Sequence, residues 1–445
     1  MSPHLLLPLK FIHRNTTSRL TASITGILLA SSVSLYADTQ YINNVSPAGT
    51  DWNTFESSLF WENTKGALEK NLWVQGNDAE FYQEGSTTAS SFAFRLYGSN
   101  ITANSLTKSG SKQLALNAGN TLLLTLTSGV ITVDQGILLL NANVYSTQGL
   151  IKEGTGTLNL NYSGNSLQKS YVGDTHINAG TLNSHTIDNL LPFATKVNVA
   201  FGATFSIGTQ TIAGLSGNGS VKVAENKTLT IINNETSNFT GVISEAGSII
   251  KEGSGTLTFS GSDANTRSGT TTVKSGVLEL AKSADVISIN GDLSIENGNV
   301  LVKSSGQIVS SSNLTLNGGG LSFSSEDTAQ LTFTLSTVTL LSNTTLDFGN
   351  VSGGVLFSVD EGIYNNGLLQ ISNWSDGVDQ LQTASLLSQG FLDSIHFAGY
   401  GQGAQLVNNV FGYEIRPIPE AGVSLLLLAG IGHVMSVRNS RKRKQ

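Results

Sequence analysis

The fold is decided by the stretch Ile151-Lys152-Glu153-Gly154-Thr155-Gly156-Thr157-Leu158-Asn159-Leu160, which returns 99 residues later as Ile250-Lys251-Glu252-Gly253-Ser254-Gly255-Thr256-Leu257-Thr258-Phe259. Each copy continues into a glycine turn and then into a second alternating strand, in residues 173–182 and 269–278. Self-similarity of this kind indicates stacked structural units, because one short unit cannot bury its own apolar face. The chain is therefore predicted to be a repeat protein.

Alternation of apolar and polar residues within each copy is typical of short β-strands with one buried face. Leu158, Leu160, Leu257 and Phe259 occupy equivalent positions in the two copies, so we expect all four side chains to form the repeat core. Glycines between the strands allow the positive-φ corners that turn each coil. The prediction is an all-β parallel β-helix, a solenoid whose coils of about 20 residues stack about 4.8 Å apart into a rod of about 60 Å.

The pattern resembles the autotransporter-associated β-strand repeat of passenger domains in exported surface proteins. The resemblance rests on the Lys-x-Gly-x-Gly-Thr-Leu-x-Leu core and on the later Gly-Thr-Thr-x-Val-x-x-Gly-x-Leu segment. Two clear copies and several weaker ones cover roughly residues 114–316. The family implies a right-handed parallel β-helix. A self-exporting member would also need a C-terminal series of membrane strands, which this chain does not show after Leu346.

The same patterns divide the chain into regions. They are a signal peptide (1–37), a Trp-rich N-terminal cap (38–91), the β-helix repeat region (92–346), a C-terminal cap or stalk (347–415) and a sorting signal with one hydrophobic helix (416–445).

Residues 1–37 have the layout of a secretory signal peptide. Lys10, Arg14 and Arg19 precede an apolar stretch, and a small residue follows it at the expected cleavage site between Ala37 and Asp38. The predicted partners at this step are the Sec export machinery and signal peptidase.

The C-terminal thirty residues form a three-part signal. Arg416-Pro417-Ile418-Pro419-Glu420 precedes an apolar run over residues 422–437, which is about the minimum length for a spanning helix. A basic tail follows, and the positive-inside rule keeps such a tail in the cytoplasm. Its basic residues are Arg438, Arg441, Lys442, Arg443 and Lys444.

This order resembles the PEP-CTERM sorting signal, which implies processing by an exosortase-like enzyme. The motif residues are Pro417, Pro419 and Glu420, and Ala421 stands where the family usually has another proline. The chain would then be held briefly in the inner membrane before it reaches the cell envelope, cell surface or extracellular matrix. The alternative is a permanent C-terminal anchor without processing.

Composition narrows the function classes. The exported part holds all 31 acidic residues but 16 of the 24 basic ones, because three basic residues lie in the signal and five in the tail, and so carries about −15. That charge argues against nucleic-acid binding. The chain has no cysteine, which excludes a disulfide framework and thiolate metal sites.

The sequence offers little for catalysis. His176, His185 and His396 show no metal-ligand spacing, and alternation points His176 and His396 outward. Acidic residues are scattered, whereas β-helix polysaccharide lyases and hydrolases use clustered carboxylates. Glu153 and Glu252 recur in phase, but both are expected to be solvated turn residues. We predict no catalytic residue, no metal site and no cofactor, and the question of calcium stays open.

Three tryptophans, Trp52, Trp61 and Trp73, lie close together near the N-terminus. Such a cluster can stack on sugars, but it more often forms the core of a capping segment. We favour the cap. The expected protein is a non-catalytic surface or matrix rod for adhesion or scaffolding, with extracellular polysaccharide as a possible partner. The alternative is a polysaccharide-cleaving or carbohydrate-binding β-helix.

Overall fold

A computed structural model describes residues 37–43, 51–52 (backbone), 61–83, 91–118, 122–161, 170–184, 187–325 and 328–420. The compact unit that contains the solenoid begins at Ala37.

Short strands make up most of these ranges. The first group is β1 (Thr39–Asn43), β2 (Asp51–Trp52), β3 (Asp78–Tyr82), β4 (Ser91–Leu96), β5 (Ile101–Ala103), β6 (Leu106–Lys108), β7 (Gln113–Ala118), β8 (Leu123–Leu126), β9 (Val130–Val133), β10 (Ile137–Leu140), β11 (Asn143–Tyr145), β12 (Leu150–Glu153) and β13 (Thr157–Leu160). The second group is β14 (Thr175–Ile177), β15 (Thr181–Ser184), β16 (Lys196–Val199), β17 (Thr204–Ile207), β18 (Gln210–Ile212), β19 (Gly214–Gly217), β20 (Ser220–Val223), β21 (Thr228–Ile232), β22 (Ser237–Phe239), β23 (Val242–Ser244), β24 (Ser248–Glu252), β25 (Thr256–Gly261), β26 (Thr271–Val273) and β27 (Val277–Lys282).

The remaining elements include one short helix. They are β28 (Leu293–Ile295), β29 (Asn299–Val302), β30 (Asn313–Asn317), β31 (Gly320–Phe323), β32 (Leu331–Ser342), β33 (Thr344–Asp347), β34 (Val355–Tyr364), β35 (Leu369–Ser372), β36 (Gln380–Thr383), α1 (Gln389–Ser394), β37 (Ile395–Phe397), β38 (Ala404–Asn408) and β39 (Tyr413–Pro417).

The strands coil into a parallel β-solenoid of the right-handed type. Sheet 1 has sixteen strands in the order β1-β3-β6-β9-β12-β14-β16-β19-β22-β25-β27-β29-β31-β33-β35-β37, and sheet 2 has nine in the order β2-β4-β7-β10-β13-β15-β17-β20-β23. Sheet 3 contains β5, β8 and β11, and sheet 4 runs β18-β21-β24-β26-β28-β30-β32-β34-β36-β39-β38. At about 4.8 Å per strand, sheet 1 is about 72 Å long, somewhat more than the sequence predicted.

Inward side chains form one continuous apolar core along the solenoid. Leu158, Leu160, Leu257 and Phe259 are all buried, at 2 % exposure or less. Their alternating neighbours Asn159 and Thr258 are partly exposed on the outside. Burial of these apolar rows is the main stabilising contribution in such a fold. Most of the contacts that bury them are between neighbouring coils.

The two clear repeat copies lie on different faces of the solenoid. In the first copy the chain passes from β12 in sheet 1 to β13 in sheet 2, and in the second from β24 in sheet 4 to β25 in sheet 1. The two copies take different faces because the number of residues per coil varies between them. Register partners in sheet 1 are 25 residues apart at Ile151 and His176 but 18 apart at Asn198 and Ser216. The repeat therefore specifies a corner and not a fixed face.

The coils extend beyond the predicted 92–346 region on both sides. β1 and β3 belong to sheet 1 before it, and β35 and β37 continue the same sheet after it. The predicted caps are in part coils themselves, because their strands alternate like those of the repeats without carrying the glycine motif. Among the described strands, antiparallel pairing joins β39 to β36 and β38 to β39 at the C-terminal end. Near the N-terminus, isolated antiparallel bridges join Tyr41 to Glu62 and Trp61 to Asn71.

The predicted C-terminal helix depends on residues 422–437, which lie outside the described residues, as do residues 1–36 of the signal peptide. Within the described ranges, no helix has the length and apolarity that a membrane crossing requires.

Candidate functional site

The corner of each repeat copy is built around a buried lysine. Lys152 and Lys251 stand at inward positions of β12 and β24, in phase with the apolar core, and both have 0 % exposure. A third lysine, Lys108, ends β6 in the same way and is also fully buried. Burying an ammonium group is costly unless its donors are satisfied. The surroundings of these three side chains therefore decide how the corner is made.

Backbone carbonyl oxygens satisfy each ammonium group. Lys152 Nζ donates to the carbonyls of Glu153 at 2.7 Å, Gly154 at 2.6 Å and Ala179 at 3.1 Å. The first two belong to its own corner, and the third belongs to the corner of the next coil. We call each such arrangement a lysine cage.

The second and third cages repeat this geometry. Lys251 Nζ donates to the carbonyls of Glu252 at 2.8 Å, Gly253 at 2.9 Å and Ser275 at 3.1 Å. Lys108 Nζ donates to the carbonyl of Gly110 and, at 2.5 Å, to that of Gln135 in the next coil. Each cage therefore ties two successive coils together through one side chain.

Burial lowers the pKa of Lys108, Lys152 and Lys251 to about 8. Desolvation is the largest cause in all three, and nearby carboxylates oppose it at Lys108 and Lys152. Two or three neutral carbonyl dipoles hold each ammonium group in place but do not replace its hydration fully.

Glycine is required where the next coil closes a cage. Gly276 has a φ of +65°, and a Cβ there would meet the carbonyl oxygens of Gly253 at 2.3 Å and Gly255 at 2.5 Å and Lys251 Nζ at 2.8 Å. This contact explains why the repeat carries a glycine about 25 residues after its lysine.

Polar rows cover the outside of the solenoid. On sheet 4 one outward row follows the strand register through seven coils: Thr211, Thr230, Ile250, Thr272, Ser294, Thr315 and Thr339. On sheet 2 the amides of Asn183 and Asn159 are hydrogen-bonded at 3.0 Å. Such ladders are expected where identical polar residues stack, and they give the rod long, regular, hydroxyl- and amide-rich faces.

Ion pairs also connect coils that are not adjacent. Lys196 Nζ lies 2.8 Å from Glu235 Oε2. Gly214 stands opposite Lys196 in the coil between them and has no side chain to intervene. Lys227 and Asp188 form a similar pair at 2.9 Å. These pairs are exposed, so each stabilises the fold only slightly.

The described residues assemble no catalytic constellation. His176 and His396 occupy outward positions of β14 and β37, and His185 lies outside the described residues. Glu153 accepts a hydrogen bond from Asn178 at 2.6 Å, and Glu252 pairs with Lys274 at 3.3 Å, as partly solvated corner residues would. Within the described ranges, no group of three His, Cys, Asp or Glu side chains could hold a metal ion.

The cap tryptophans are buried. Trp61 and Trp73 are at most 4 % exposed, and their rings lie 4.7 Å apart next to Phe81. A buried ring cannot stack on a sugar, so these two side chains serve the N-terminal core. The side chain of Trp52 lies outside the described residues.

The predicted processing sites lie at the two ends of the described chain. Ala37 and Asp38 immediately precede β1. At the other end Pro417 is buried as the last residue of β39, whereas Pro419 and Glu420 are exposed beyond it. Ala421 and the basic tail from Arg438 to Lys444 lie outside the described residues.

Comparison with known proteins assigns the corner motif. Residues 150–183 and 249–280 match the family model described as Passenger-associated-transport-repeat. Two segments of the chain are thus similar to this repeat. Each matched segment contains one whole lysine cage, from its lysine to the glycine corner of the next coil. The cage of Lys108 and Gln135 lies outside both matches.

A curated relative supports the same grouping. The protein named Adhesin BmaC autotransporter, from Brucella suis biovar 1 (strain 1330), is 31% identical over 247 residues, which are 50% of this chain and 7% of that protein. The chain thus corresponds to a small part of the relative's length. No solved structure matches the chain.

The lysine cages were missed at the sequence level, although a signal was present. Lys152 follows Leu150 at spacing two and so shares its inward phase, and a glycine stands two residues later. All three cages share one sequence pattern: a lysine at an inward position of a strand, followed two residues later by a glycine.

Proposed function

We propose that the chain is an exported, non-catalytic rod that acts in adhesion or in scaffolding of an extracellular matrix. The observation that carries the proposal is the pair of passenger-associated repeats within a solenoid whose outer rows are polar over many coils. A rod of this kind offers a long surface and little concave volume. The relative named as an adhesin supports the same class.

Sorting through a PEP-CTERM-like signal belongs to this proposal. Pro419 and Glu420 are exposed just after the last strand, so a processing enzyme could reach them without unfolding the cap. Export by the Sec machinery, removal of residues 1–37 and cleavage by an exosortase-like enzyme would deliver the rod to the cell surface or matrix. The rival proposal is a permanently anchored rod.

A polysaccharide-cleaving enzyme is the second candidate function. Cleavage needs acid and base groups that converge on one bond. Within the described ranges the cavity near the C-terminal cap holds about 20 Å³ and is lined by apolar residues such as Phe357, Leu381 and Phe391. This cavity therefore offers neither acid nor base for such cleavage.

The test compares attachment and degradation. A strain that lacks the gene should lose attachment or matrix cohesion, and complementation should restore it. The purified chain, incubated with extracellular polysaccharide, should release no new reducing or unsaturated sugar ends. Release of such ends would support the enzyme, and unchanged attachment together with no polysaccharide binding would contradict the adhesive rod.

The binding face can then be located with matched variants. Glutamates at Thr230 and Thr272 would place charge on the outward row of sheet 4. Glutamates at Thr157 and Thr204, which flank Thr181 in the register, would do the same on sheet 2. Loss of attachment with one pair and not with the other would identify the face that contacts the ligand.

A further inference from the structure

One strand edge of the solenoid is open. In the β38–β39 hairpin, Asn409 N–H donates to the Gly412 carbonyl at 3.1 Å, and the register pairs Val407 with Glu414. Hydrogen-bonded pairs alternate along an antiparallel ladder, so the backbone groups of Leu406 and Asn408 point away from β39. Within the part of the chain that the structure describes, these outward groups have no hydrogen-bond partner.

At the opposite end of the solenoid, the first strand of sheet 1 is covered. Tyr41 in β1 exchanges backbone hydrogen bonds of 2.9 and 2.8 Å with Glu62, which covers the first strand of sheet 1. The buried Glu62 carboxylate accepts hydrogen bonds from Lys70, from Tyr82 at 2.6 Å and from the Gly66 N–H at 2.8 Å. The N-terminal edge of sheet 1 is therefore protected by a dedicated segment, whereas no described residue covers the β38 edge.

The sequence of β38 does nothing to prevent pairing. It reads Ala404-Gln405-Leu406-Val407-Asn408, without the charged residues or prolines that usually protect an exposed edge. Val407 is 39% exposed. In the adjacent strand, Glu414 and Arg416 form an ion pair at 2.8 Å and so add no net charge beside the edge.

We propose that β38 pairs antiparallel with β38 of a second copy of this chain, around a twofold axis at Val407. Leu406 then stands opposite Asn408 of the second copy, and both residues have outward backbone groups to exchange. The two symmetry-related pairs make four backbone hydrogen bonds. Val407 faces its own counterpart in a non-hydrogen-bonded pair, with Cα atoms about 4.5 Å apart.

A second copy fits this edge better than other occupants for two reasons. The strand carries no charge, so no like charges meet when it pairs with itself. Coils also stack along the rod, and a strand added at β38 extends sheet 4 past the end of the rod without meeting its sides. The product is a tail-to-tail dimer with both N-terminal ends outward, which doubles the number of outer faces available for multivalent contact.

The dimer does not depend on the proposed function. A strand pair of this length buries less than the roughly 1,600 Å² of a standard interface, so we expect a weak dimer whose population rises with concentration.

A cysteine scan tests the register directly, because the chain contains no cysteine. In the full chain in detergent, Val407→Cys should form a disulfide-linked dimer under mild oxidation, since about 4.5 Å between Cα atoms lies within disulfide range. Gln405→Cys is the matched control on the same exposed face. In this register it lies four residues from its counterpart, about 13 Å away, so it should cross-link at least tenfold more slowly.

A proline variant separates edge pairing from chance collision. Asn408→Pro removes an outward N–H but leaves the ladder with β39 intact, as prolines on edge strands do. Added to Val407→Cys it should abolish the fast cross-link, while circular dichroism and protease resistance stay unchanged. Equal cross-linking at residues 405 and 407, or no effect of the proline, would overturn the proposal. A Val407→Cys chain that stays monomeric would also overturn the proposal. This outcome includes the alternative that residues 422–437 of the same chain cover β38.

Discussion

Lys251 Nζ lies 3.1 Å from the carbonyl oxygen of Ser275, 24 residues further along the chain and one coil away. At this contact a repeat copy binds its neighbour through a fully buried, charged side chain. Neighbouring coils also share backbone hydrogen bonds, apolar contacts and partly exposed polar contacts such as that of Lys274 with Glu252. The ammonium group of Lys251 binds one particular corner of the next coil, which supplies the Ser275 carbonyl and the space left by Gly276.

Removal of the lysine should therefore destabilise the coil pair. Lys251→Ala leaves the carbonyls of Glu252, Gly253 and Ser275 without their buried donor, and unsatisfied groups of this kind cost about 1–3 kcal/mol each before relaxation. We expect a loss of about 3 kcal/mol, measured by urea unfolding and by protease cleavage near residue 252. Lys274→Ala, which removes the exposed partner of Glu252, should cost less than about 1 kcal/mol. Equal effects would contradict the cage.

The cages also predict a dependence on pH. Burial lowers the pKa of Lys108, Lys152 and Lys251 to about 8, whereas an unfolded lysine has a pKa near 10.4. Between about pH 8 and 10.4 the unfolded chain binds more protons than the folded one, so the contribution of these lysines to the unfolding free energy rises with pH.

The measurement is urea unfolding at pH 7, 8, 9 and 10. The rise should approach about 1 kcal/mol per pH unit for each lysine at its steepest. Methionine at residues 108, 152 and 251 should remove most of it, with a remainder from Lys282, whose pKa burial also lowers. A wild-type profile that falls between pH 8 and 10 would contradict the prediction.

Glycine at the closing corner can be tested with a matched pair. Gly276 and Gly202 both have positive φ, at +65° and +77°, but a Cβ at Gly202 meets nothing within 4 Å. Gly202→Ala should cost about 1 kcal/mol of backbone strain. Gly276→Ala adds a clash with two carbonyl oxygens and the lysine, so we expect at least twice that loss in thermal or urea unfolding. A similar cost at both positions would show that φ alone selects the glycine.

Much of the fold followed from the sequence because alternation and glycine spacing are local signals. They predict inward positions for Leu158 and Leu257 without knowledge of which sheet each strand joins. Face assignment was out of reach, because it depends on the summed lengths of the intervening coils, and those vary between 18 and 25 residues. The capping hairpin was equally hidden, since β38 has the composition of any other strand.

The phase of the core gives a direct substitution test. Leu257 is fully buried, so Leu257→Asp would bury a carboxylate without a partner and should cost several kcal/mol. Thr258 points outward and stands opposite Glu279 in the register of β25 and β27. Thr258→Asp should thus cost a few tenths of a kcal/mol through like-charge contact, and Thr258→Lys should cost nothing measurable. Protease resistance that falls equally in Leu257→Asp and Thr258→Lys would show the phase to be wrong.

Processing at the C-terminus is the prediction that bears most on function. Pro417 is part of β39, but Pro419 and Glu420 lie exposed beyond it, so substitutions there should leave the rod folded and change only its fate. If an exosortase-like enzyme reads the motif, mass spectrometry of surface and culture fractions should find no peptide from the apolar run or basic tail. Glu420→Ala should then accumulate an uncleaved, membrane-retained chain, because the apolar run can still insert. Asp360→Ala, which removes an exposed carboxylate from β34, is the control and should be processed normally. Intact Arg438 and its following residues in mature wild-type protein would instead establish a permanent anchor, since cleavage and retention of the tail cannot both describe the same molecule.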